Sequence, residues 1–199
     1  MTPSDADGRI LLEIARETVE HAVRRTPEPP CRHDPADHPW LFEPGATFVT
    51  LRADGRLRGC LGTLEARRPL IEDLRHNAEA VVAKDPRFSP VSRRELSRIR
   101  IEVSLLSPLE EVEVGSEAAA LDHLARGRDG WWLSYSDRSS TFLPQVWEVL
   151  PTPREFLERL REKAGLAPHF WDPDVRLWRY TVRKWCEGES DSDKGTPAD

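Results

Sequence analysis

The stretch RLRGCLGTL at residues 56–64 sets a thiol among glycines in a run that otherwise reads as a β-strand. Glycine inside a strand weakens it and marks a bulge or a close approach. Side chains alternate along a strand, so Arg58, Cys60 and Gly62 are predicted to share a face. Gly62 then leaves an empty patch beside the sulfur. Gly59 permits a bulge or an unusual backbone angle just before it. A nearby cation favours the thiolate, the form that attacks an electrophile. The chemistry implied is nucleophilic or redox. The competing reading is inert packing, the usual fate of a free cysteine.

Other polar residues stand where they could join Cys60. Glu102 and Ser104 fall on the non-apolar face of the alternating run IRIEVSLLS at 99–107. That face is either solvated or part of the same pocket, where Glu102 would act as a base or hold Arg58. Asp85 and Arg87 in DPRF form a local ion pair or line the pocket, and Gln145 in LPQV is polar in an apolar context. Cys60 and Glu102 are thus the catalytic candidates. Arg58, Gly59, Gly62, Asp85, Arg87, Ser104 and Gln145 are the binding candidates. No histidine can be placed beside Cys60, and no GxSxG, HExxH or glycine-rich phosphate loop occurs. Cys31, His33 and His38 lack the fourth ligand that structural zinc prefers, so neither a metal nor a cofactor is expected.

The elements that must position these residues read as follows. A helical stripe runs through 7–25, with Asp7 as its cap. A proline-rich connection fills 26–45. ADGR between two apolar runs predicts a hairpin over 46–64. A helix follows at 69–84 with Pro69 in its first turn, ending before Pro86. Ser92 and Glu95 read as a capping box. Next come a strand at 99–107, a strand-like EEVEV, a helix at 116–127 and a second hairpin around SDRS within 130–150. A helix at 152–166 and one last strand at 176–187 complete the order, and the polar segment 188–199 reads as disordered. Hairpins mixed with helices predict an α+β fold with a largely antiparallel sheet.

Composition narrows the class. The chain has 199 residues and a net charge of -6, from 29 basic and 35 acidic residues. An acidic balance argues against nucleic-acid binding through Arg52, Arg56, Arg58, Arg67 and Arg68. Three widely spaced cysteines predict no disulfide framework and a reducing compartment. No apolar run approaches the roughly 20 residues of a membrane span. A cytoplasmic protein is expected.

Five blocks carry a resemblance: LRGCLGTLEARRPL, NAEAVVAKDPRFSPV, IEVSLLSPLE, TFLPQVWE and FLERLREKAGL, in that order. Over residues 10–187 the chain resembles the AMMECR-domain family, whose bacterial members are the AmmeMemoRadiSam system A proteins. The resemblance implies an α+β domain over 1–187 with two unequal lobes and a cleft lined in part by the LRGC strand. It also implies partnership with Memo-type and radical-SAM proteins. The suspected LRGC cysteine of the family maps onto Cys60, and its DPRF block onto Asp85–Phe88. Leu61 stands where the family often has isoleucine, and Ser139–Ser140 where it tends to have a glycine. Two functions are compatible with these features: a cysteine-dependent enzyme or enzyme subunit, and a non-catalytic module binding a small molecule, peptide or partner.

Overall fold

The computed structural model describes residues 4–27, 30 and 32–188. The fold is α+β. Its elements run α1 (Asp5–Arg24), β1 (Pro44–Gly45), β2 (Thr47–Ala53), β3 (Arg56–Gly62), β4 (Arg68–Pro69), α2 (Leu70–Ala83) and β5 (Ile99–Leu106). They continue with β6 (Glu110–Val112), α3 (Glu117–Ala125), β7 (Gly130–Tyr135), β8 (Arg138–Phe142), α4 (Pro153–Lys163), β9 (Arg176–Tyr180) and β10 (Val182–Cys186). The chain divides into two compact units. The first comprises the residues up to Leu106 and those from Arg183, and the second Ser107–Val182.

In the first unit a four-stranded sheet has the order β10-β5-β2-β3, and β2 pairs antiparallel with both β5 and β3. One face carries Val49, Leu51, Ile99, Ile101 and Val103, packed on Leu11, Ile14 and Val19 of α1 and Leu74, Ala78 and Val81 of α2. The register puts Phe48, Thr50, Glu102, Ser104 and Cys60 on the opposite face. Asp54 and Gly55, both at positive φ, close the β2–β3 hairpin in two residues, as the ADGR signal predicts. A second sheet, ordered β6-β9-β7-β8, is antiparallel throughout. Trp131, Leu133 and Leu177 pack with Phe156, Leu157 and Leu160 of α4.

Three local predictions are corrected. Asp7 is not the α1 cap; Ser4 is, and Asp7 completes the box three residues on by accepting from the Ser4 N–H. Pro69 precedes the first residue of α2 with extended geometry, because it also ends β4. The last strand is two. Thr181 interrupts it, β9 joining the second sheet and β10 bordering β5 in the first. A run of alternating residues does not show that its pairing partner changes midway.

The connection at 26–45 holds a short 3-10 turn, Pro39–Phe42, that buries Leu41. Cys31 lies outside the described residues, as does 189–199. The His33 and His38 rings meet edge to face, centroids 5.4 Å apart. Among the described residues no helix is long and apolar enough to cross a membrane.

Candidate functional site around Cys60

Cys60 sits on β3, the edge strand, with its side chain half-buried. It lies opposite Thr50 of β2, which lies opposite Glu102 of β5, so the three residues form one row across the sheet. The Thr50 hydroxyl donates to the Cys60 sulfur at 3.3 Å. The backbone N–H and C=O of Cys60 turn outward, to a loop beyond the sheet edge. Residues paired in this way have their side chains at closest approach, which is what brings hydroxyl and sulfur together.

The loop is DPRF. The Cys60 N–H donates to Asp85 Oδ2 at 2.9 Å, and Arg87 Nη2 donates to the Cys60 carbonyl at 3.3 Å. Arg87 also donates to both Asp85 oxygens, from Nε at 2.9 Å and Nη2 at 2.7 Å. Asp85 is 3% exposed. The Arg87 hydrogen bonds, helped by the N–H groups of Cys60 and Arg87, hold its carboxyl well below the usual carboxylate range despite burial. Arg87 is raised in turn, mainly by its hydrogen bond to Asp85, with the charges of Asp85 and Cys60 adding. An unpaired sheet edge is thus covered and the cysteine backbone is held on both sides.

Arg58 sits in a bulge next to Gly59. A bulge between Leu51 and Arg52 pairs Leu51 with Gly59 and Arg52 with Leu57, leaving Arg58 as the extra residue. Its guanidinium meets Glu95, with Nε donating to Oε1 at 2.7 Å. Arg58 and the Ser92 N–H lower the Glu95 pKa to about 2. The cation hydrogen-bonded to Cys60 is Arg87. Both arginines lie over the Phe88 ring, Arg58 at 5.9 Å and Arg87 at 5.4 Å from its centroid. Glu102 does not hold Arg58 either; it pairs with Arg52 from the neighbouring strand.

The glycines make room for the protein's own atoms. A Cβ at Gly62 would come within 2.3 Å of the Phe48 ring and 2.4 Å of the Thr47 carbonyl, so the predicted empty patch is filled. A Cβ at Gly59 would lie 3.1 Å from a Val81 methyl and 3.2 Å from the Val81 carbonyl. Gly59 therefore lets β3 approach the end of α2, from which Asp85 reaches Cys60. Its φ is not positive. Ser104 is buried in the row of Phe48 and Gly62. Gln145 is exposed, in a 3-10 turn of the second unit.

Two participants are absent from the sequence-based list. Thr50 is one; an alternating strand marks its face but not its partner. The other is a buried network behind the hairpin. Asp73, fully buried, accepts from the Thr47 N–H at 2.9 Å, Thr47 Oγ1 at 2.8 Å, Thr63 Oγ1 at 2.6 Å and Asn77 Nδ2 at 2.9 Å. Two polar residues four apart on the apolar stripe of α2 are the signal that identifies it.

A sheet face bearing a half-buried cysteine, with its edge strand clamped by an Asp-Pro-Arg-Phe loop, defines the class, and known proteins define the family. The AMMECR1 family model matches residues 12–185, and the chain belongs to that family. It is similar to a protein of Methanothermobacter thermautotrophicus, 38% identical over 188 residues, covering 91% of this chain and 94% of the relative. Protein MJ0810 of Methanocaldococcus jannaschii is 37% identical, covering 76% of this chain and 78% of its own. The crystal structure of the uncharacterized protein PH0010 from Pyrococcus horikoshii superposes with a TM-score of 0.81 at 32% identity, covering 91% of each chain.

Proposed function

We propose that this AMMECR1-family chain carries out thiol chemistry at Cys60, as a cysteine-dependent enzyme or enzyme subunit acting on a small molecule. The observation that carries this reading is the Thr50 hydroxyl donating to the Cys60 sulfur. The hydroxyl holds the sulfur in one direction, and the Asp85–Arg87 loop fixes the backbone from which the sulfur projects. Glu102, in the same row, is the carboxylate available to take a proton, and Arg52 orients it. Arg58, Gly59, Gly62 and Ser104 shape the surroundings.

Iodoacetamide labelling followed by mass spectrometry tests the proposal, with Cys186 as internal reference. Thr50→Val removes the donor and keeps the shape. It slows Cys60 labelling about fivefold, the rate equivalent of a hydrogen bond worth about 1 kcal/mol, and leaves Cys186 unchanged. Equal Cys60 rates in wild type and variant refute it.

A binding module is the second reading, favoured by the state of the nearby charges. Arg52, Arg58 and Arg87 are each matched to a carboxylate, leaving an uncharged strip of Phe48, Thr50 and Cys60. The sequence resemblance extends this to a Memo-type or radical-SAM partner in the cytoplasm. Co-purification from the native cell that survives Cys60→Ala supports binding without thiol chemistry.

A further inference from the structure

A second site lies at one end of the first sheet, where β5 begins and β10 ends. An open groove of about 690 Å³ is lined there by Arg16, Asp54, Ser97, Arg98, Arg100 and Glu187, among others. Two of its three arginines are matched. Arg16 Nε donates to Glu187 Oε1 at 2.8 Å, and Arg98 Nε donates to Asp54 Oδ1 at 3.1 Å. Arg100 differs. Among the described residues it meets no carboxylate, and its Nη1 donates to the Glu187 carbonyl at 3.2 Å. That guanidinium lies against Gly188, where a Cβ would come within 2.0 Å of Nη1. Arg100 is therefore held in place, with no further partner for its donor fork among the described residues.

The local charge is also unbalanced. Arg100 stands directly opposite Arg52 across the β2–β5 pair. Like charges so placed are destabilising, and the Glu102 partner of Arg52 offsets only one of them. Among the described residues the groove sets three arginines against the carboxylates of Asp54 and Glu187, and Arg100 is the arginine left without a counter-charge.

We propose that this groove binds the phosphate group of a small molecule, with Arg100 as its principal ligand and Ser97 beside it. A guanidinium fork matches two oxygens of a tetrahedral oxyanion, and the Ser97 hydroxyl supplies a further donor. The volume exceeds that of phosphate alone, which leaves room for the rest of the molecule. The proposal is independent of Cys60 chemistry.

Titration of the whole chain with inorganic phosphate at low ionic strength, followed by 31P line broadening and calorimetry, tests it. Wild type binds. Arg100→Gln binds about tenfold more weakly, Arg100→Lys falls between, and Arg154→Gln, the same charge change at an exposed position of α4 in the second unit, leaves binding unchanged. Circular dichroism confirms that each variant is folded. No phosphate binding by wild type overturns the proposal. So do equal affinities for wild type and Arg100→Gln, and acetate binding as tightly as phosphate.

Discussion

Replacing Asp85 with alanine severs the link between the DPRF loop and Cys60. The Cys60 N–H loses a charged acceptor at 2.9 Å, a bond class worth about 1.5–3 kcal/mol. Arg87 loses its carboxylate, but with 54% of its side chain exposed that pair is discounted to at most about 1 kcal/mol. The expected loss is about 2–4 kcal/mol. At a urea dependence of roughly 2 kcal/mol per molar, this lowers the unfolding midpoint by about 1–2 M. Asp85→Asn keeps an oxygen for the N–H and loses the charge, so it falls between. The pH dependence has a definite sign. The folded carboxyl titrates below its ordinary value near 3.8, so its contribution is complete above about pH 4. It disappears as pH falls through the lower folded value. The gap between wild type and Asp85→Ala is therefore flat from pH 5 to 8 and narrows in acid. Urea titrations at several pH values, with exchange of the Cys60 amide as a local probe, measure it. A gap below 0.5 kcal/mol at pH 7, or one that widens in acid, refutes the reasoning.

Asp73→Ala strands the buried Thr47 N–H and hydroxyl and takes the acceptor from the half-buried Thr63 hydroxyl, while Asn77 keeps the Thr47 carbonyl; it costs about 3–5 kcal/mol, measured in the same titrations. Gly62→Ala drives a methyl into the Phe48 ring and the Thr47 carbonyl. It costs about 1–3 kcal/mol, and Phe48→Leu does not restore it, because the carbonyl cannot give way. Carboxyl NMR titration finds Glu95 near 2; in Arg58→Ala it moves up toward the ordinary 4.5, and an unmoved value removes Arg58 as the cause.

What the sequence discloses follows the range of the forces involved. The ADGR turn is legible because Asp54 and Gly55 meet a backbone requirement with their own chemistry. The stripes of α1 and α2 are legible because burial repeats with the helical period. The bulge is suggested by Gly59, but the Glu95 partner of Arg58 is not legible, because 37 positions separate the two and only the fold brings them together. Arg87 could be suspected but not assigned, since its hold on Cys60 crosses 27 positions. The glycines are legible as places where something comes near, but the space at Gly62 is filled and not empty. What approaches is Phe48 and Val81, and only packing identifies them. The division of the last strand escapes for a similar reason, because Trp178 and Trp185 each suit a strand and only the pairing separates them.

The route of the chain has a consequence for synthesis. The border strand β10 comes at the end of Ser107–Val182 in the sequence, yet it completes a sheet whose other three strands precede that segment. On the ribosome, the open rim of β5 and the Ile101 amide that Glu187 later engages must wait while the intervening unit is translated. At roughly 5–20 residues per second the wait lasts several seconds. The second unit, contiguous in sequence, can mature before the first has its full set of strands. Nascent chains stalled just before Arg183 therefore present a bare strand, a natural target for a holding chaperone.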